Sequence, residues 1–211
     1  MYKKKKIVIL IPARKGSKRL PKKNFLQFNK KPLICWTINE ALKSMYADKI
    51  FVSSDMAKIL NLKKKFKNIL FVKRPRNISQ DSTTTSEVVI DFINKYNDEF
   101  DYLCLLQPTS PLRKSFDIDK SIKLIINNES NSLVSVSALK NEYPLDKKNN
   151  LTKLKKKNYY LNGAIFISKI NFIKKFKGFL TNKTSLYVMP KNRSVDIDNH
   201  IDFKKAEKLY R

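Results

Sequence analysis

Short apolar runs alternate with segments of helical period along this chain, and most of the runs end in a polar or basic cluster. Ile7–Leu10 is apolar and branched throughout, which suits a strand buried on both faces. Pro32–Ser44 places apolar residues at 33, 34, 38, 41 and 42, a helical spacing with Pro32 suited to the first turn. Lys49–Ser53 and Ile69–Val72 read as the next strands, with Asp55 positioned to cap a helix over roughly 56–66. Thr85–Tyr96 is amphipathic, and Ser82–Thr85 offers several caps ahead of it. Tyr102–Leu106 is the clearest buried strand. A helix over about 116–127, strands at Leu133–Ser137 and Gly163–Ser168, and a short helix at Ile170–Phe176 follow. A strand at Ser185–Met189 and a helix over about 200–210 complete the pattern. Alternation this regular predicts a Rossmann-like, three-layer α/β/α fold around a mainly parallel sheet. Only the polar, lysine-rich stretch from Lys140 to Tyr160 breaks it. There is no internal repeat or low-complexity linker, so residues 1–211 read as a single domain with room for a substantial core.

Composition narrows the function. A hydrophobic content of 42% with 11% aromatics suits a folded protein. Lys3–Lys6 resembles the charged start of a signal peptide, but only about five apolar residues follow before Pro12. No run approaches the roughly 20 apolar residues that span a bilayer. The expected location is the cytoplasm, with no membrane partner. Cys35 and Cys104 sit inside apolar runs and read as small core residues. The one histidine, His200, follows an acidic pair and reads as a surface or helix-cap residue. A net charge of +27 raises nucleic acid as a partner. Against that, only Arg14, Arg19, Arg74, Arg76, Arg113, Arg193 and Arg211 are arginines, whereas base readout relies on arginine. The lysines are scattered along the whole chain. The charge therefore reads as solvated surface that attracts anionic substrates, with no specific nucleic-acid site.

Two constellations carry chemistry. Ile11–Asn24 (IPARKGSKRLPKKN) crowds Arg14, Lys15, Lys18, Arg19, Lys22 and Lys23 around Gly16, Ser17 and Pro21, directly after a strand. Cations and backbone N–H groups on a loop at a strand's end suit phosphate oxygens. Gly16, Gly163 and Gly178 are the only glycines, which excludes the dinucleotide fingerprint and the Walker loop. Asp196 and Asp198 alternate on Arg193–Asp198 (RSVDID), so an extended segment would turn both carboxylates to one side. The pair suits Mg²⁺, or else the positive end of the helix that follows, and the doublet alone does not choose. Beside a phosphate loop, Mg²⁺ is the better fit.

Ile11–Asn24, Gln107–Arg113 (QPTSPLR), Asn162–Ile165 (NGAI) and Arg193–Asp198 together resemble the acylneuraminate cytidylyltransferases, the CMP-sialic acid synthetases, in the family's order. The PTSPLR form is similar to the sialic and legionaminic branches more than to the pseudaminic one, and the opening block departs from the 3-deoxy-manno-octulosonate enzymes. The resemblance implies a nucleotide-diphospho-sugar transferase fold and transfer of CMP from CTP to the anomeric hydroxyl of a nine-carbon 2-keto sugar acid, with Mg²⁺ as cofactor. It implies that Arg14, Ser17 and Lys23 hold the triphosphate, and that Asn24 and Arg74 help place the nucleotide. Gln107 and Asn162 would lie at the acceptor, and Asp196 and Asp198 would bind the metal. Arg14, Lys23, Asp196 and Asp198 are the expected catalytic set.

The chain departs from that pattern in one place. The family carries an arginine-rich loop and a longer excursion before Asn-Gly-Ala, an element that helps pair subunits. Here the stretch over about 139–161 is short, and Lys155, Lys156 and Lys157 stand where arginines are expected. A lysine cannot reproduce arginine's two-pronged grip on a carboxylate. A homodimer with a reduced dimerisation element is expected. Alternatives are an enzyme for another 2-keto-3-deoxy sugar acid and a CTP-binding relative without turnover.

Overall fold

A computed structural model describes residues 1–17, 19–96, 100–139 and 159–210. Strand β1 (Ile7–Pro12) is followed by a two-stranded ribbon, β2 (Gln27–Phe28) and β3 (Lys31–Pro32), and by helix α1 (Leu33–Leu42). Then come β4 (Lys49–Ser54), α2 (Ala57–Leu60), β5 (Leu70–Lys73), α3 (Thr85–Tyr96) and β6 (Tyr102–Leu106). The remainder is α4 (Ser115–Asn127), β7 (Ser132–Ala138), β8 (Tyr159–Lys169), α5 (Ile170–Phe176), β9 (Ser185–Val188) and α6 (His200–Tyr210).

The main sheet has the order β5-β4-β1-β6-β8-β7-β9. Its pairings are parallel except those of β8, which lies antiparallel to both β6 and β7. Period-two alternation on β1 explains the three layers. Ile7, Ile9 and Ile11 pack with Ile34 and Ile38 of α1 and with Ile118 and Ile122 of α4. Val8 and Leu10 face the other way, onto Val89 and Phe92 of α3 and Ile173 of α5. Both sides of β1 are wholly buried, as its unbroken apolar sequence predicts. Cys35 and Cys104 are free and buried, and burial pushes the Cys104 thiol up to about 12, so it is inert packing.

The helix expected over 56–66 is cut short. Only Ala57–Leu60 is α-helical, and Asn61–Lys64 continues as a 3₁₀ turn. Asp55 does not cap it, because its Oδ1 accepts the backbone N–H of Lys15 at 2.7 Å. Met56 stands at the cap position without a side-chain bond. A helix start left without its acceptor is weak. The acidic residue is used instead to tie down the basic loop. Likewise, Pro32 precedes α1 as its cap rather than entering its first turn.

A third, smaller cluster lies beyond the sheet. Leu20, Leu112, Val195 and Ile197 pack there with Phe28, Leu33 and Ala206 of α6. Each of the first four comes from one of the sequence blocks singled out above. Burying each is worth roughly 1.5–3 kcal/mol, enough to fix three separate loops against one another.

Candidate active site

The strand order reverses direction around β1, with β4 on one side and β6 on the other. In open α/β sheets a crevice opens at the carboxyl ends of the strands at such a point. Here a cleft of about 220 Å³ lies between the loops after β1 and β6, and Arg14, Ser17, Lys23, Asn24, Arg74 and Gln107 all line it. Residues dispersed from 14 to 107 are thus brought to one space.

The basic loop is held from several sides. Arg14 donates through one terminal nitrogen to the Gln80 carbonyl at 3.0 Å and to Asp81 Oδ1 at 2.9 Å. The Asn24 amide donates to the Arg14 carbonyl at 3.0 Å, so Asn24 shapes the loop as well as lining the cleft. Lys22 takes a left-handed conformation at φ 54° and turns the chain so that Lys23 points inward. Arg74 is buried and donates to the Ser53 carbonyl at 3.1 Å. Burial draws its guanidinium down to about 10, still charged near neutral pH. The first turn of α3 also lines the cleft through Thr85, next to Thr83 and Thr84. Thr84 and Glu87 close a capping box there, with the Thr84 N–H donating to Glu87 at 2.6 Å and the Glu87 N–H to Thr84 Oγ1 at 3.2 Å. The helix therefore presents its positive end to the cleft.

The wall beside Gln107 is a bulge. Val134 pairs with Phe166 and Val136 with Leu161, so on the β7 side residues 162–165 of β8 stand opposite Ser135 alone, while Ile165 still pairs with Leu106 of β6 on the other side. Side chains supply partners where the β7 ladder is interrupted. The Ser135 hydroxyl donates to Asn162 Oδ1 at 2.6 Å, Oδ1 also accepts the Ala164 N–H at 3.2 Å, and Ser135 Oγ accepts the Ile165 N–H at 2.8 Å. The Asn162 amide donates to Ser137 Oγ at 3.0 Å. At 2% exposure, Asn162 lies beneath the cleft surface rather than in it. Arg113, also buried, donates to the Ala164 carbonyl at 2.8 Å, to the Gln107 carbonyl at 3.2 Å and to Thr37 Oγ1 at 2.8 Å. It staples the PTSPLR loop to the bulge. At the apex, Gly163 has φ 72°, and a Cβ there would lie 3.0 Å from both Gln107 Oε1 and Asp196 Oδ2. Asp196 therefore meets Gln107 across a glycine.

Asp198 closes the remaining side. Lys23 Nζ donates to its Oδ1 at 2.9 Å and an Arg19 terminal nitrogen to its Oδ2 at 2.8 Å. Burial works to raise its pKa, but Lys23 and then Arg19 outweigh it and hold the carboxyl below the usual range. Asp196 goes the other way. Burial raises it, the neighbouring Asp198 charge adds to the effect, and a Thr109 hydrogen bond and Lys23 only partly oppose it. Its Oδ1 is fully covered and has no hydrogen-bond partner. The alternative role, serving the end of α6, is already filled. Asn199 accepts from the Ile201 and Asp202 N–H groups, and Asp202 accepts from Asp198 and Asn199.

A divalent oxygen-seeking cation fits this arrangement, because a covered carboxylate oxygen without a donor is an acceptor waiting for a positive partner. Among the described residues, no group of three or more His, Cys, Asp and Glu side chains could hold a metal, so further ligands would have to be water and substrate oxygens.

The ionised Asp196 is a burden on the fold. A raised folded pKa favours the fold below the unfolded value, and that benefit is lost as pH rises through the folded value. Asp196→Asn is therefore expected to raise the melting midpoint near neutral pH by a few degrees. An unsatisfied buried carboxylate oxygen costs about 1–3 kcal/mol, and each ~1 kcal/mol moves a chain of this size by about 2–4 °C. The gain should fade toward the ordinary aspartate value of about 3.9. Calorimetry over that pH range checks it; a loss of stability at neutral pH would show that the charge is compensated.

The sequence alone assigns no individual role to Arg19, Arg113, Ser135 or Ser137, and only that of helix caps to Thr83–Thr85. Arg19 and Arg113 lay inside motif blocks but had no pattern separating them from other basic residues. Lys18, Lys155, Lys156 and Lys157, with most of the polar stretch, lie outside the described residues. His200 is exposed at the first position of α6, as expected of a surface histidine.

Comparison with known proteins bears on this architecture. The profile of the cytidylyltransferase family matches residues 8–211. The N-acylneuraminate cytidylyltransferase of Streptococcus agalactiae serotype V is 35% identical over 94% of this chain and 52% of its own. The CMP-N,N'-diacetyllegionaminic acid synthase of Legionella pneumophila is 35% identical, over 97% and 96% respectively. The pseudaminic acid cytidylyltransferase of Campylobacter jejuni is 30% identical, over 98% and 97%. The chain thus spans about half the length of the acylneuraminate relatives it matches and nearly all of the other two. A solved CMP:2-keto-3-deoxy-manno-octonic acid synthetase complexed with CTP aligns at a TM-score of 0.77 and 16% identity, covering 97% of this chain and 98% of that one, a likeness of fold alone. With a family profile matched along almost its whole length, the chain belongs to the cytidylyltransferase family.

Proposed function

We propose that this protein transfers CMP from CTP to the anomeric hydroxyl of a nine-carbon 2-keto sugar acid and releases pyrophosphate. The observation that carries this reading is convergence. Arg14, Ser17, Lys23, Asn24, Arg74 and Gln107 line one cleft, with Asp196 and Asp198 at its border. The matched relatives are named for CMP transfer to acids of this class.

In the step, the anomeric oxygen attacks the α-phosphorus, the bond from that phosphorus to the bridging oxygen breaks, pyrophosphate departs and the hydroxyl proton is lost. Such a transfer requires positioning and neutralisation of charge, and no histidine. Arg14, Ser17 and Lys23 would bind the triphosphate, while Asn24 and Arg74 help to place the nucleotide. A triphosphate entering the cleft would compete with Asp198 for Lys23. Asp196 and Asp198 would hold Mg²⁺, which when bound supplies positive charge to the transferring and leaving groups. Gln107 would face the acceptor, and Asn162 would act at one remove by completing the bulge that aims Gly163. The sialic and legionaminic acids are the favoured acceptors, a supply of CTP suits a cytoplasmic location, and a homodimer is the proposed assembly.

The test is pyrophosphate release from CTP and Mg²⁺ with sialic, legionaminic and pseudaminic acids offered in parallel, and an eight-carbon 2-keto-3-deoxy acid as a fourth arm. Release with a nine-carbon acid is expected. Release with the eight-carbon acid alone would move the acceptor to the shorter class. CTP binding with no release from any acid would replace the enzyme reading by a non-catalytic relative.

A further inference from the structure

The segment that carries Asp196 and Asp198 is anchored by an ion pair that the proposed chemistry does not use. Arg193, at its start, grips Asp117 in the first turn of α4 with two prongs, Nε to Oδ2 at 3.1 Å and a terminal nitrogen to Oδ1 at 2.9 Å. Asp117 is wholly buried. Its Oδ1 also accepts the Tyr187 hydroxyl at 3.0 Å and its Oδ2 the Lys114 N–H at 3.1 Å. The Arg193 guanidinium lies 4.7 Å from the centre of the Phe116 ring. Charge, fork geometry and stacking all fix the same side chain. Capping α4 would require only the Lys114 bond, so the cap does not account for the arginine or the tyrosine.

Beyond Arg193 the chain has little slack. Ser194 Oγ accepts the Ser137 hydroxyl at 2.7 Å, Val195 and Ile197 are buried, and the Ile197 N–H donates to the Thr109 carbonyl at 2.8 Å. Between these pins, Asp196 and Asp198 reach Gly163 and Lys23. We propose that Asp117 and Arg193 are positioning residues: their buried ion pair sets the register of residues 193–198 and so the aim of both cleft carboxylates at a divalent cation. This inference rests on the reading of Asp196 and Asp198 as cation ligands.

The test uses the full chain with Arg193→Lys and Asp117→Asn. Arg193→Lys keeps a charge beside Asp117 but loses the fork; a neutral replacement would strand a buried carboxylate and is unsuitable. Four quantities are read: Mn²⁺ affinity by electron paramagnetic resonance, CTP affinity without metal by calorimetry, the melting curve, and turnover against Mg²⁺ concentration. Groups that orient metal ligands change metal affinity or activity by about 10–100-fold when altered. A loss of that size in Mn²⁺ affinity is expected in both variants, with unaltered metal-free CTP affinity and turnover partly regained at high Mg²⁺. A merely structural role would lower the melting midpoint without separating the two affinities. Wild-type Mn²⁺ affinity in folded Arg193→Lys overturns the inference, and that variant decides alone if Asp117→Asn does not fold. The parent reading fails separately: then wild-type protein and Asp198→Asn bind Mn²⁺ equally well, or neither binds it.

Discussion

Turnover is expected to fall about 10³-fold when Asp198 is replaced by asparagine, while the fold persists. Several kcal/mol of charge stabilisation are at stake when a cation ligand is lost, and each 1.36 kcal/mol is about a factor of ten. Little stability is at risk. Asp198 keeps 40% of its side chain exposed and its Arg19 partner 70%, so the pair with Arg19 is worth at most about 1 kcal/mol. The Lys23 contact is more sheltered, with 12% of the lysine exposed, and it sets the direction of the carboxyl's shift. A depressed folded pKa contributes stability above the unfolded value and loses it as pH falls through the folded one. The variant should therefore match wild type in strong acid and melt slightly earlier at neutral pH. Initial rates at saturating CTP over a Mg²⁺ titration, with circular dichroism melts, measure both. A loss of less than tenfold would remove Asp198 from the cation site.

Gly163→Ala is expected to lower turnover by about tenfold and to destabilise the protein at the same time. At φ 72° a side chain costs about 1–2 kcal/mol, and the new Cβ would stand 3.0 Å from oxygens of both Gln107 and Asp196. That is tighter than most Cβ contacts, so the ends of the Gln107 and Asp196 side chains must give by a few tenths of an ångström. A shift of the order of 1 Å in a positioned group costs about a hundredfold, so one of a few tenths is expected to cost about tenfold. The companion variant Gly178→Ala has only ordinary contacts, the nearest at 3.8 Å, and should leave the rate unchanged. Equal rates for Gly163→Ala and wild type would mean that neither Gln107 nor Asp196 needs its observed place.

The fold was legible because the sheet is central. Strands buried on both faces leave unbroken apolar runs, so β1 and β6 stood out, and α5 and α6 have the limits that periodicity predicts. The exceptions were local: β8 begins at Tyr159, four residues before the expected Gly163 and inside the stretch read as polar, and α2 stops at Leu60. Asp55 looked like a cap because caps are read from near neighbours, whereas its partner Lys15 lies on a different loop. The cleft was legible as blocks of basic and acidic residues, but its construction was not. That Asn162 completes a bulge, and that Arg113 is a buried staple between β8 and α1, depend on strand pairing that no periodicity encodes. Asp196 and Asp198 looked equivalent, yet their surroundings push their pKa values in opposite directions.

The reversed strand β8 has a consequence for engineering. Because β7 ends and β8 begins at the edge of the sheet where the cleft opens, both ends of the stretch that joins them stand on the side of the candidate site. Its endpoints, Ala138 and Tyr159, are already paired with each other, as the two ends of a hairpin are. A different segment can therefore be joined at this junction while the pairings of the parallel strands stay as they are.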